Sequence, residues 1–127
     1  MRYTIAIVWV VVIAILHAIP GSDFPEVSFS DFFQLDKLIH AVIFMIGVYL
    51  FTVALKEQQK IQFLRYIVIS FIVYGLLLEV LQGLVFVERS ADILDWLADT
   101  IGVFLGVWVF KKFIKSFLRF IKNFLIT

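Results

Sequence analysis

Four apolar stretches organise this sequence: Thr4 to Ile19, Leu38 to Leu55, Tyr66 to Val87, and a fourth from Asp92 or Ile93 to Phe110. A helix of about 20 apolar residues crosses the ~30 Å hydrocarbon core of a bilayer. The stretches approach that length, the first being the shortest, and none alternates in polarity, so they read as helices and not as barrel strands. Composition points the same way. The chain of 127 residues is 63% hydrophobic, with a mean hydropathy of +1.06. A chain this small has no interior large enough to hide that surplus from water. The expected fold is all-α, an integral membrane bundle of four transmembrane helices in one domain.

The first stretch follows Arg2 and ends at Pro20-Gly21, with no small-x-small cleavage site after it. It is therefore read as a retained span and not as a cleaved leader. Neither a repeat nor a low-complexity linker divides the chain. Cysteine is absent, which excludes disulfides, thiolate metal sites and cysteine nucleophiles.

The net charge of +1 conceals a strong partition. With four crossings, Arg2, Lys56, Lys60, Arg65, Lys111, Lys112, Lys115, Arg119 and Lys122 all fall on one side. Only Lys37 and Arg89 fall on the other. By the positive-inside rule the basic side is cytoplasmic, with both termini inside. Every acidic residue except Glu57 then lies in outer loops or outward-facing half-spans. This predicts a multi-pass protein of the bacterial cytoplasmic membrane. Nucleic acid is excluded as a partner, because the basic residues face a membrane surface.

Residues 111–127 form a separate region. Phe113, Phe117, Phe120, Ile121 and Phe124 recur at helical spacing among basic residues. That pattern predicts a basic amphipathic helix on the anionic inner leaflet.

Ionisable groups at membrane depth cost several kcal/mol and each requires a reason. Asp36 and His40 share a helix face four residues apart, with Lys37 beside them. Glu79 and Gln82 share a face near the outer end of the third span. Arg89 and Asp92 occupy the short outer loop, and Asp95 and Asp99 continue inward. The steps Asp92, Asp95, Asp99, Gly102, Gly106 run 3, 4, 3, 4, which makes one helical stripe. Its Gly-x-x-x-Gly half permits close helix packing. Such packing would turn the acidic half toward the bundle interior, giving one outward-opening polar pocket rimmed by Lys37 and Arg89. A structural clasp of Glu79 with Arg89 or His40, and helix capping by Asp92, are the plainer alternatives. His17 reads as an interface residue, and the phenylalanine-rich faces as lipid contacts. Carboxylates and an imidazole suit a divalent cation, but no recognised ligand spacing is present and no cofactor is assigned. No catalytic motif is specific enough to assign an enzyme activity.

The ordered set Asp36-Lys37-x-x-His40-x-x-x-Phe44, Glu79-x-x-Gln82, Arg89, Asp92, Asp95, Asp99, Gly102 and Gly106 resembles the VanZ-like family of small bacterial membrane proteins. The resemblance is strongest over residues 35–107, within a domain taken as 1–110. Two positions depart from the family pattern: Asp99, where asparagine is usual, and Phe44, where tyrosine is frequent. The resemblance implies a helical membrane protein of the cell envelope, in a family named for a member linked to low-level teicoplanin resistance. The favoured expectation is an outer pocket that binds the polar head group of a lipid-linked precursor or a glycopeptide, in a protein whose other partner is the lipid bilayer. Oligomeric state is left open. The other classes in view are a small membrane enzyme acting on lipid head groups and a structural or accessory subunit.

Overall fold

The computed structural model describes residues 3–19, 29–55, 60–85 and 91–125, with the side chains of 29–34, 60–61, 114–115 and 117–125 left aside. These residues form four helices and no strands: α1 (Thr4–Ala18), α2 (Phe29–Ala54), α3 (Lys60–Leu84) and α4 (Ile93–Leu125). In hydrocarbon a backbone amide has no water to bond, so the helix satisfies it internally. Three helices are long and apolar enough to cross a membrane, through the segments Leu35–Ala54, Gln62–Leu84 and Ile93–Phe113. The first helix is apolar but has 15 residues, about 22 Å at 1.5 Å per residue. Two boundaries differ from the hydropathy reading. The second helix begins at Phe29, well before the apolar run, and α4 continues unbroken to Leu125.

The helices alternate in direction. His17 meets His40, while Gly47, further along α2, approaches Ile13, so α1 and α2 are antiparallel. Tyr74 bonds Val10 and Gln82 bonds His17, so α1 and α3 run together. The most extensive pairing is between the parallel helices α2 and α4. Gly102 and Gly106 make it possible. A Cβ on Gly102 would stand 2.1 Å from Ala41 O, and one on Gly106 would stand 2.6 Å from Met45 O. Only hydrogen atoms fit between these backbones.

The core comprises Ile13, Ile43, Phe44, Val48, Phe71, Leu78 and Val103. Phe44 is fully enclosed and Phe71 nearly so, which corrects the expectation that the phenylalanine faces are lipid contacts. Phe104 and Phe113 do face outward. Hydrogen bonds clip α1 to its neighbours. Trp9 Nε1–H donates to Ile43 O at 2.9 Å and Tyr74 O–H donates to Val10 O at 2.7 Å.

Candidate functional site: a polar cluster at one end of the bundle

The alternating directions bring four polar segments together. His17 closes α1, Asp36, Lys37 and His40 lie at the start of the apolar part of α2, and Glu79 and Gln82 lie near the end of α3. Asp92, Asp95 and Asp99 open α4. At the mouth, Lys37 Nζ donates to Asp92 Oδ2 at 3.0 Å and also to Asp95 Oδ1. Asp92 additionally caps α4, its Oδ1 accepting the Leu94 amide at 2.8 Å. That bond, reinforced by Lys37 against a smaller opposing effect of burial, holds the Asp92 carboxyl below its ordinary value.

Deeper in, His40 Nδ1 and Asp99 Oδ1 are 3.0 Å apart, and the His17 ring stands edge-on to His40 with centroids 4.6 Å apart. Glu79 Oε2 accepts the Asp92 backbone N–H at 2.9 Å, and Gln82 Nε2 donates to His17 O at 3.0 Å. His17, His40, Glu79, Gln82, Asp95 and Asp99 are all buried. Phe44 lies beneath, 6.0 Å from the His17 ring, with Val48 and Val103 enclosed beyond it. The polar layer therefore has an apolar floor. A cavity of about 110 Å³ reaches His17 and His40 between α1 and α2, lined also by Leu16, Ile19, Asp36, Ile39 and Ile43. A larger cavity, about 420 Å³, sits at the other end among apolar and aromatic side chains and touches none of these groups.

The structure thus brings together Asp36, Lys37, His40, Glu79, Gln82, Asp92, Asp95 and Asp99. Arg89 lies outside the described residues, so neither its rim position nor its clasp with Glu79 is described. Among the described residues, Glu79 takes the Asp92 amide as its hydrogen-bond partner. Two residues escaped the sequence reading. His17 is 2% exposed at the centre of the cluster. Its assignment as an interface residue is corrected, because α1 ends level with the polar turns of the other three helices. Gly75 is the second, since a Cβ there would stand 2.9 Å from Asp99 Oδ2. The signal for Gly75 was available: it precedes Glu79 by four residues and shares its face. Two sets of side chains, His17–His40–Glu79–Asp99 and Asp36–His40–Asp95, bring their potential ligand atoms within 4.8 Å of one another.

The four apolar helices thus share one polar face with ordered acidic and glycine positions. The family model described as VanZ/LLP1 matches residues 2–118, nearly the whole chain. The chain belongs to the VanZ/LLP1 family. No curated protein and no solved structure matches it. Within this VanZ/LLP1 protein, the matched region takes in α1, α2, α3, α4 as far as residue 118, and every residue of the polar cluster.

Proposed function

We propose that this VanZ/LLP1 protein acts in the bacterial cytoplasmic membrane, with the cluster facing outward. There it binds the polar head group of a membrane-borne ligand such as a lipid-linked wall precursor. The observation that carries this reading is the burial of His17, His40, Glu79 and Asp99, one from each helix, around one end of an otherwise apolar bundle. Ionisable groups are too costly at that depth to be retained for packing alone. Carboxylates outnumber cations among the described groups of the cluster, so the site suits a head group rich in hydrogen-bond donors, such as hydroxyl, amide or ammonium. The cavity of about 110 Å³ is small beside the ~300–1,000 Å³ of drug-sized pockets. It suits the tip of a head group, not a whole glycopeptide, so any effect on teicoplanin runs through the precursor.

Expression in a susceptible host tests this. Tolerance to teicoplanin is expected to rise more than tolerance to vancomycin, and His40→Ala and Glu79→Gln are expected to abolish the gain. Full protection by both variants at equal membrane abundance would overturn the reading. The His40–Asp99 pair supports a second reading, a membrane enzyme acting on lipid head groups. A carboxylate that holds one imidazole nitrogen leaves the other to move a proton. A head-group profile in the same strains that changes with the wild-type chain and reverts with His40→Ala would favour the enzyme.

A further inference from the structure

Within the cluster, three buried acceptor atoms have no donor among the described residues. His17 Nδ1 is 2.8 Å from Ile13 O. A carbonyl oxygen only accepts, so the proton sits on Nδ1, and the neutral ring presents a lone pair at Nε2. Glu79 spends Oε2 on the Asp92 amide, and Asp99 spends Oδ1 on His40. Among the described residues, His17 Nε2, Glu79 Oε1 and Asp99 Oδ2 are each buried and find no hydrogen-bond partner. Two of them, His17 Nε2 and Asp99 Oδ2, are 3.9 Å apart. Buried acceptors left unpaired are costly, and negative ends that converge in a low-dielectric interior repel. A cation placed among them relieves all three together.

The surroundings select the kind of cation. His17, His40, Glu79 and Asp99 come one from each helix, all four are buried, and each offers a ligand atom within 4.8 Å of the others, His40 exchanging its bond to Asp99 for the ion. Two imidazoles with two carboxylates match first-row divalent ions such as Zn²⁺. Ca²⁺ and Mg²⁺, which take oxygen donors, are poorer matches. Ligand bonds of about 2.0–2.2 Å set tetrahedral donors roughly 3.3 Å apart, so closure asks the side chains to draw in by about 1 Å. The two carboxylates also balance the ion's charge. The outer contacts are in place as well. His17 holds a backbone carbonyl through its other nitrogen, and Glu79 is anchored by the Asp92 amide; such contacts orient metal ligands.

We propose that His17, His40, Glu79 and Asp99 bind one first-row divalent transition-metal ion of the Zn²⁺ class, which ties the four helices together. The inference rests on the same cluster as the proposed function but needs no head-group ligand. Its test uses the tag-free full chain in detergent, loaded with Zn²⁺, dialysed against a weak chelator and assayed for bound metal. One zinc per chain is expected for the wild type and for the variants Lys111→Gln and Lys112→Gln, exposed on α4 outside the cluster. His17→Gln and Asp99→Asn should bind more than about a hundredfold more weakly, beyond the 10–100-fold cost of losing an outer contact. X-ray absorption on the zinc-loaded wild type, which depends on no variant's folding, should show imidazole scattering. Wild type that retains no zinc above the buffer, a spectrum without imidazole, or full retention by both ligand variants would overturn the site. Bound zinc with no drug or lipid phenotype would remove the proposed function alone. No bound zinc together with a phenotype that still depends on His40 would remove the metal alone.

Discussion

Asp92 couples three of the four helices through separate atoms. Its Oδ1 caps α4 at Leu94, its Oδ2 accepts Lys37 of α2, and its backbone N–H reaches Glu79 of α3. Because the Leu94 amide and then Lys37 favour the ionised form, the folded carboxyl titrates below its ordinary value of 3.8. A carboxyl depressed in this way stabilises the fold fully above the unfolded value, and that contribution is lost as pH falls through and below it. Thermal unfolding in detergent checks the consequence. At neutral pH, Asp92→Asn is expected to cost up to about 1 kcal/mol through the half-exposed ion pair. Asp92→Ala should cost roughly 1 kcal/mol more, because asparagine still caps and alanine does not. The gap between wild type and Asp92→Asn should close as pH drops below 3.8. A gap that persists there would mean that Asp92 acts through shape and not through charge. Asp92 was legible as a cap from its place before an apolar run. Its bond to Glu79 was not, because a backbone amide carries no residue-type signal.

Among the elements, the parallel α2–α4 pairing carries the site. The 3, 4, 3, 4 stripe on α4 was readable in the sequence, and the glycines do pack where the stripe implies, against Ala41 and Met45. The partner helix was not readable, because a glycine stripe specifies closeness and not the neighbour. Gly102→Ala would drive a methyl group onto the Ala41 backbone, which has no rotamer in which to yield. It is expected to cost about 3 kcal/mol, the upper range for overpacking, and to separate Lys37 from Asp92 and Asp95. Gly83 is the internal comparison: exposed, with the nearest atom to an added Cβ being Ala91 Cβ at 3.1 Å. Gly83→Ala should change stability by less than about 1 kcal/mol. Equal melting shifts for the two variants would show that helix propensity, not backbone approach, governs these positions. Hydropathy located α1 but missed its role. Trp9 bonds the backbone of α2, while Tyr74 and Gln82 of α3 bond that of α1, and these contacts set His17 level with His40.

At the scale of the whole molecule, the charge partition predicts which end of the bundle faces outward. With no native cysteine, single substitutions Ser22→Cys, Gln58→Cys and Ser90→Cys in intact cells report it cleanly. A membrane-impermeant maleimide is expected to label the first and third but not the second. Labelling of Gln58→Cys alone would turn the cluster to the cytoplasm and end the wall-precursor reading, while the metal site would stand. The sequence by itself determined the solvent and the helical class, and its charge pattern predicts the orientation. Each of these follows from local transfer energies and from spacing along a single segment. It also singled out most of the polar residues, because charge in an apolar run is conspicuous wherever it falls. The tertiary structure alone decided which of their atoms meet. Whether His17, His40, Glu79 and Asp99 converge depends on how far each helix is rotated and how deeply it sits. Those two quantities are settled by packing between segments far apart in the chain, with glycine contacts on α2 and hydrogen bonds on α1 as the stops.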